Sequence, residues 1–250
     1  MPVLHGWANG NDPWYLPLTL VIRNGSHAVA VPTFGLTWHM DARNALDVAR
    51  AQGWCAVKMD LDTFQRDAGA LGLMAVPNRR GGNNRDVLRP LRREQAPVRS
   101  LSATFGLGPQ PLHTDCAHHK DPPAFVVLAS QAASTTPTLV WRPKLTQDWT
   151  ELFQQGVFIV DDGPGRFLAP AMANSRIRFD PGCMRPCDGR ARALVSALVS
   201  ARHEAHRHQW SDAGTLLVID NWRTLHARDT VTDPAERVIE RITLRGGPAR

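Results

Sequence analysis

Three residues in this sequence have side chains and a spacing that suit a metal site. His113 and Asp115 are two positions apart, so on an extended segment both side chains point to the same face. The apolar, Gly-bounded segment 214–220 is typical of a buried strand, and the polar turn after it leads to His226. Two imidazoles and one carboxylate on one face of an octahedron leave the opposite positions open, an arrangement that suits non-heme iron(II).

A short H-x-D pattern is weak evidence by itself, because it also occurs by chance in surface turns. The end of the chain strengthens the metal-site interpretation. Residues 236–245 alternate like a strand, which places Arg237 and Arg241 on one face. These arginines follow His226 by 11 and 15 residues, so the strand that carries them can lie back beside the distal histidine.

The order and spacing of these parts resemble a known family. The parts are H-T-D at 113–115, D-N at 220–221, L-H-A-R at 225–228, and the pair Arg237 and Arg241. This combination is similar to the taurine dioxygenase-like (TauD/TfdA-type) branch of the iron(II)/2-oxoglutarate-dependent oxygenases. The order of the three parts is more specific than any one of them.

The resemblance covers about residues 100–245 and implies a double-stranded β-helix, or jelly-roll, core with flanking helices. Composition and periodicity alone indicate only a mainly β protein of the α+β class, with 43% hydrophobic residues, 19 Gly and 19 Pro. A length of 250 residues suits one well-buried domain. We therefore predict a single oxygenase domain, in which residues 1–100 supply flanking elements and a basic loop and residues 101–245 form the core that carries the site.

The resemblance also implies the cofactors. Iron(II) is expected to take His113, Asp115 and His226 as its ligands, 2-oxoglutarate to take two further positions, and O2 to take the last one. The far carboxylate of 2-oxoglutarate then lies in a largely dry barrel, where an unpaired charge would cost several kcal/mol, roughly. A guanidinium fork is a suitable partner for that carboxylate.

The family pattern gives three further residues a role. Arg237 is expected to bind the far carboxylate of 2-oxoglutarate, and Thr138 to place its hydroxyl beside it. Arg241 is expected to hold an anionic group of the substrate. Because family members differ in which arginine serves, the roles of Arg237 and Arg241 are open to exchange.

Asp115 bears on the reaction type. Halogenating relatives have a small residue where this carboxylate stands, so the resemblance favours hydroxylation of an unactivated C–H bond, with 2-oxoglutarate decarboxylated to succinate. Desaturation or cyclisation in natural-product biosynthesis shares the first step and stays open. The substrate is expected to be small and anionic or amino-acid-like, free or tethered to a carrier, and a homo-oligomer is compatible with the sequence.

Two other classes of function fit single features of the sequence. The 29 Lys and Arg residues against 23 Asp and Glu give a net charge of +6, which fits a nucleic-acid-binding β protein or a solvated basic surface. A single Tyr and scattered Phe provide no stacking stripe, so nucleic acid is not the favoured partner. A zinc hydrolase would need a general base, and the H-E-x-x-H helix of one such group is not present.

The setting expected from the sequence is cytoplasmic, without a membrane span. The sequence has no secretory leader and no apolar run of about 18 residues. Its four cysteines form no C-x-x-C pair. Cys183 and Cys187 are close enough in sequence to clip a loop or bind zinc, although two thiols without a second pair are more often inert.

The pattern of elements is predicted as follows. The front of the chain contains a strand at 18–22, a helix between the N-cap Asp41 and Gly53, a strand at 54–59 and a helix at 62–71. The strand-rich part begins near Leu101. Its later elements are strands at 124–129, 138–141, 157–160 and 176–179 and helices at 146–155 and 190–207.

Two stretches invite a functional interpretation that the sequence does not settle. The basic, Gly-rich segment 79–99 is predicted to be a solvated loop or a lid over the binding site. His203, His206 and His208 are interpreted as polar residues at a helix C-terminus rather than as metal ligands. His118 and His119 are likewise assigned to a loop or to the surroundings of the ligands.

Overall fold

The computed structural model describes residues 20–24, 27–31, 40–98 and 100–246. Helices α1 to α5 are Ala42–Gln52, Leu61–Ala70, Leu101–Phe105, Gln147–Gln155 and Gly189–Ala201. Strands β1 to β8 are Leu20–Asn24, His27–Val31, Trp54–Lys58, Leu73–Val76, Arg85–Leu88, Phe125–Ser130, Ser134–Trp141 and Val157–Asp161. Strands β9 to β16 are Arg166–Pro170, Met172–Ala173, Arg176–Ile177, Met184–Pro186, His206–Trp210, Thr215–Asp220, Leu225–Arg228 and Ile239–Gly246. Two short 3-10 helices are Arg93–Gln95 and Arg202–Glu204.

The chain divides into two compact units, residues 1–38 and 39–250. In the first, β1 and β2 pair as an antiparallel hairpin. The predicted strand at 18–22 overlaps β1, and its residues 18 and 19 lie outside the described part of the chain. The predicted metal ligands all lie in the second unit. A single domain over the whole chain stays a prediction.

The second unit is built on two antiparallel sheets with a shared interior, the jelly-roll core that the resemblance implies. The larger sheet has the order β3-β14-β6-β16-β4, with β5 also paired to β16, and the smaller has the order β13-β7-β15. Both faces of β6 and β14 are covered, which explains why these strands are continuously apolar rather than alternating. In β6, Val126 and Leu128 pack toward Val140 and Trp210 of the smaller sheet, whereas Phe125 packs on the outer side.

Helices cover the outer face of each sheet. α1 and α2 pack on the larger sheet through Leu46 and Phe64, and α4 and α5 belong to the outer core of the smaller sheet. The predicted N-cap is confirmed, because the Asp41 carboxylate accepts a 2.7 Å hydrogen bond from the Asn44 amide. Gly53 ends α1 with φ +104°, the left-handed conformation that favours glycine.

The predicted helix at 190–207 is too long. α5 ends at Ala201, a 3-10 turn follows, and residues 206–210 form β13 instead. The apolar stripe of the helix stops at Ala201, and β13 gains backbone hydrogen bonds along β7 that a helix could not make. His206 and His208 therefore lie on a strand of the smaller sheet rather than at a helix end.

Two other segments differ from the sequence expectation. The strand-rich part does not begin near Leu101, since α3 occupies 101–105 and the next strand starts at Phe125. The basic segment 79–99 contains β5, whose residues pair with the start of β16. The edge of β16 supplies a hydrogen-bonding partner that the composition of this segment does not reveal. Among the described residues, the longest and most apolar helices still fall short of what crossing a membrane requires.

Candidate metal centre

The backbone brings the two predicted histidine ligands together. His113 lies on an extended segment that forms an isolated antiparallel bridge with His226 of β15. Each amide donates to the carbonyl of the other residue, at 2.9 Å from His113 and 2.8 Å from His226. The two rings consequently lie with their centroids 4.5 Å apart. A separation of 113 positions in the sequence is thus closed by one bridge.

Asp115 completes a cluster whose three ligand atoms lie within 4.8 Å of one another. All three residues are buried. His113 Nδ1 lies 2.9 Å from the Pro111 carbonyl, so Nδ1 carries the proton and Nε2 is left to bind a metal. Asp115 Oδ2 has no hydrogen-bond partner within the described part of the chain and lies 3.7 Å from His226 Nε2. Such buried, unpartnered donor atoms fit a divalent cation between them.

The electrostatics keep the ligands in their metal-binding forms. Burial acts to raise the pKa of Asp115, but the positive charge of Arg241, with smaller contributions from the two histidines, leaves that pKa below its usual value. Burial lowers the pKa of His226 to about 3. At neutral pH the site therefore presents a carboxylate and a neutral imidazole, the forms that coordinate metal.

Asn221 holds the backbone of Asp115 from the opposite end of the chain. Its side-chain oxygen accepts from the Asp115 amide at 2.9 Å, and its NH2 group donates to the Asp115 carbonyl and the Pro123 carbonyl, both at 3.0 Å. Asn221 is completely buried and begins the turn that joins β14 to β15. The same turn thus supports the strand that carries His226 and fixes the residue that carries the carboxylate.

Arg237 and Thr138 form a polar cluster at the cavity wall. Arg237 is only 6% exposed and precedes β16. Its Nη2 donates to Thr138 Oγ1 at 2.9 Å and its Nη1 to the Thr136 carbonyl. Burial, with the charge of Arg228, lowers the pKa of Arg237 to about 10. Among the described residues no carboxylate pairs with Arg237, so a buried positive charge faces the cavity without a counter-ion.

Arg241 is placed differently from Arg237. Its Nη1 donates to Asp115 Oδ1 and its Nη2 to Asp86 Oδ2, each at 2.8 Å. The guanidinium thus bridges the carboxylate of a metal ligand and a carboxylate of β5. The substrate-binding role expected for Arg241 stays a prediction. The observed contacts orient Asp115 with its Oδ2 atom toward the two histidines.

A cavity of about 510 Å³ opens beside the three ligands. It is lined by all six residues singled out from the sequence, His113, Asp115, Thr138, His226, Arg237 and Arg241. The basic segment contributes Arg79, Arg89 and Leu91 to the same wall, so the segment borders the cavity. Its role as a lid stays a prediction.

Sequence reasoning missed four residues at this site: Asp86, Asp180, Trp210 and Asn221. Asp180 lines the cavity, and among the described residues its carboxylate accepts one hydrogen bond, from the Gly182 amide at 2.7 Å. Burial raises the pKa of its carboxyl group. Asn221 was the one with a signal, because it stands in the D-N sequence that carried the family resemblance.

Of the remaining candidates from the sequence, His118 and Cys183 line the cavity. His119 contacts Arg245, at 3.2 Å from Nη2 to Nδ1. His206 stacks on Trp54 with centroids 4.5 Å apart. Cys183 and Cys187 are free thiols.

Comparisons with known proteins agree with this site and fold. Residues 173–243 match the sequence model of the family described as "Taurine catabolism dioxygenase TauD, TfdA family". This region includes His226, Arg237 and Arg241. No curated protein sequence matched the chain.

Solved structures similar to this one share its fold. The non-heme iron oxygenase OrfP, in complex with Fe and α-ketoglutaric acid, aligns with a TM-score of 0.62 at 19% identity, over 82% of this chain and 79% of that chain. PvcB, described as an Fe, α-ketoglutarate-dependent oxygenase from an isonitrile synthetic pathway, aligns with a TM-score of 0.58 at 18% identity, over 82% and 80%. A further PvcB structure is from Pseudomonas aeruginosa, with 17% identity and a TM-score of 0.58.

The fold is shared with solved non-heme iron oxygenases, and the cluster of His113, Asp115 and His226 offers the two imidazoles and one carboxylate that suit non-heme iron(II). Residues 173–243 are the part of the chain that resembles the TauD/TfdA family in sequence.

Proposed function

We propose that the protein hydroxylates an unactivated C–H bond of a small, amino-acid-like substrate, using iron(II), 2-oxoglutarate and O2. The observation that carries the proposal is the convergence of His113, Asp115 and His226 on one cavity with their metal-binding atoms free. Iron(II) with 2-oxoglutarate and O2 supplies a C–H-oxidising centre, with succinate and CO2 as the products of the cosubstrate. The chain itself holds the metal, orients both organic molecules and limits water.

Arg237 and Thr138 are the residues proposed to bind the far carboxylate of 2-oxoglutarate. The support is the absence of a carboxylate beside Arg237 in the described part of the chain, together with its burial. A buried guanidinium without a counter-ion favours an anionic ligand, and a charge-assisted hydrogen bond contributes about 1.5–3 kcal/mol. Arg237→Gln is expected to raise the dissociation constant of 2-oxoglutarate at least about tenfold.

The charges along the cavity favour a substrate with both a cationic and an anionic group. The carboxylate of Asp180 lines the wall, and no cationic side chain in the described part of the chain forms an ion pair with it. Thr114 holds this region beside His113, because its hydroxyl accepts from the Phe179 amide at 3.0 Å. Arg79 and Arg89 are exposed at the edge of the same cavity. An amino acid could place its carboxylate near the arginines and a basic group near Asp180.

One neighbour of known structure offers a parallel. OrfP has been solved with Fe, succinate and (3S)-hydroxy-L-Arg. Its sequence identity to this chain is 20%, so the similarity supports the shared fold only. The proposed substrate class therefore rests on the charges of this cavity. Asp180 is the residue of this chain whose chemistry suits a guanidinium or an ammonium group. Attachment of the substrate to a carrier remains compatible with the basic rim.

The proposal is tested by a screen for substrate-stimulated succinate formation. The panel contains basic, neutral and acidic amino acids, sulfonates and carrier-bound acyl groups. We expect stimulation by a basic amino acid, at least about tenfold weaker in Asp180→Asn, which removes the negative charge and keeps the shape. Stimulation confined to sulfonates or other anions without a cationic group would contradict the amino-acid proposal.

The same screen separates the reaction outcomes. Hydroxylation adds one oxygen atom to the substrate, whereas desaturation or cyclisation removes two hydrogen atoms and adds none. Mass spectrometry of the product therefore tests hydroxylation directly. His226→Ala is the control, because loss of a metal ligand must abolish both succinate and the oxidised product.

A further inference from the structure

Thr138 lies at the centre of a row of inward-facing residues on the smaller sheet. It is 1% exposed, lines the cavity, and stands opposite His208 of β13 on one side and Arg228 of β15 on the other. Trp210, two residues after His208, is 1% exposed and contacts the same hydroxyl from behind. Thr138 therefore lines the cavity, and its hydroxyl is also in contact with two hydrogen-bond donors, Trp210 and Arg237.

The hydrogen bonds of Thr138 determine the direction in which its own proton points. Trp210 Nε1 lies 3.0 Å and Arg237 Nη2 lies 2.9 Å from Thr138 Oγ1. The indole and the guanidinium carry only donors, so Thr138 must accept both hydrogen bonds. A hydroxyl has two acceptor lone pairs and one proton. With both lone pairs in use, Thr138 has only its proton left to offer.

No described residue takes that proton. Among the described residues no acceptor lies within hydrogen-bond distance of the Thr138 proton, and His208 Nε2, on the residue that pairs with Thr138 in β13, forms no hydrogen bond. The remaining direction is the cavity. A ligand atom that meets Thr138 there must be an acceptor, and the neighbouring Arg237 also offers only donors.

We propose that Trp210 is a positioning residue that fixes Thr138 as a hydrogen-bond donor and makes this part of the cavity selective for an acceptor-only group. Both oxygens of a carboxylate accept hydrogen bonds from such donors, whereas an alkyl group accepts none. The inference rests on the proposed function, since the carboxylate in question is the far one of 2-oxoglutarate. Trp210 does not line the cavity and acts only through Thr138.

The test is a double-mutant cycle with Trp210→Phe and Thr138→Val, read as the dissociation constant of 2-oxoglutarate for the iron-loaded protein without oxygen. Phe keeps a buried ring and removes the indole donor. Trp210→Phe is expected to weaken 2-oxoglutarate binding about fivefold, and Thr138→Val about tenfold. In the Thr138→Val background, Trp210→Phe is expected to change binding by less than about twofold, because the hydroxyl that it orients is gone.

A second ligand separates positioning from general packing. 2-Oxopentanoate keeps the chelating end of 2-oxoglutarate and lacks the far carboxylate, so Trp210→Phe is expected to leave its binding within about twofold. Trp141→Phe is the matched control, because Trp141 lies on the outward face of β7, the strand that carries Thr138. This substitution is expected to leave the binding of both ligands unchanged. Equal weakening of both ligands, or additive effects in the cycle, would overturn the inference. Wild-type protein that binds no 2-oxoglutarate would instead overturn the proposed function, and the inference with it.

Discussion

The side chain of Asn221 holds the backbone of Asp115, one of the three proposed metal ligands. Asn221 is buried, and its side chain makes three hydrogen bonds, all with the backbone of Asp115 and Pro123. Asn221→Asp replaces the NH2 donor by an oxygen that faces two carbonyl oxygens. Because unsatisfied buried acceptors cost about 1–3 kcal/mol and a buried charge costs more, we expect iron(II) affinity to fall at least about tenfold.

The measurement is an anaerobic iron(II) titration, accompanied by thermal unfolding. Asn44→Asp introduces the same change of charge at an exposed position of α1 and should leave iron(II) binding unchanged. If Asn221→Asp bound iron(II) with wild-type affinity, the hydrogen bonds of Asn221 to the Asp115 backbone would not be needed for metal binding.

At the residue scale, the sequence predicted the three candidate metal ligands but not the residues that surround and position them. His113, Asp115 and His226 could be found because the family pattern fixes their order, and the structure brings them together. The contact of Trp210 with Thr138 joins residues 72 positions apart and leaves no local pattern. Asp180 could not be predicted from the sequence either, because no local pattern shows that its carboxylate lines the cavity.

At the scale of elements, the turn around Gly53 connects the helical layer to the metal-bearing strands. The Gly53 carbonyl accepts from the Asp220 amide at 2.8 Å and from the Thr224 hydroxyl at 2.9 Å. Gly53 has φ +104°, and a Cβ atom there would lie 2.5 Å from Thr224 Oγ1. Gly53→Ala is therefore expected to lower the free energy of unfolding by about 1–3 kcal/mol.

Chemical denaturation measures this change, and Gly69→Ala provides the matched control. Gly69 lies within α2, where an added Cβ would meet no atom within 4 Å. That substitution should stabilise the protein by about 0.5–1 kcal/mol through helix propensity. Equal effects of the two substitutions would contradict a special role for the turn at Gly53.

The elements that sequence reasoning placed well are those with local signals. α1 has a side-chain cap and a terminal glycine, and β6 and β14 are apolar runs of strand length. β13 was predicted as the end of a helix because the segment with His203, His206 and His208 has no clear periodicity. Its hydrogen bonds with β7 make it a strand. β5 was hidden in a basic segment because only the edge of β16 makes it a strand.

At the scale of the whole molecule, buried neutral histidines make the metal-free protein sensitive to acid. Burial lowers the pKa of His208 to about 4 and that of His226 to about 3, against 6.5 for an ordinary histidine. Between pH 6.5 and about 4 the unfolded chain therefore binds more protons than the folded chain. Stability should be present above pH 6.5 and fall as the pH drops toward 4. The buried carboxyl of Asp180, whose pKa is raised, acts in the opposite direction.

His208→Phe isolates one part of this pH dependence. The His208 ring lies edge-on to Trp210 at 4.5 Å, and its Nε2 has no partner among the described residues, so a phenyl ring is a suitable replacement. The loss of stability between pH 6.5 and 4 should be smaller in the variant than in the wild type by up to about 3 kcal/mol. Urea denaturation across this pH range measures it, and parallel curves for the two proteins would contradict the prediction.

The fold class was predictable because the resemblance covers β6, β7 and β13 to β16, which form most of the two sheets, whereas β3, β4 and β5 lie before the region of resemblance. The layers around it depend on which faces of which sheets are buried, and this is decided by packing between distant segments. Phe64 of α2 and Phe153 of α4, for example, lie on the outer sides of different sheets. Their apolar character alone does not assign them to one layer or the other.

Three residues of this chain are proposed to hold iron(II) in a site that also binds 2-oxoglutarate. The most direct measurement is anaerobic titration of the protein with iron(II) and 2-oxoglutarate, monitored by the visible charge-transfer band of the chelate. We expect the band in the wild type and in His203→Ala, an exposed histidine remote in sequence from the ligands, and its loss in His113→Ala, Asp115→Ala and His226→Ala. A band retained in all three ligand variants would contradict the account.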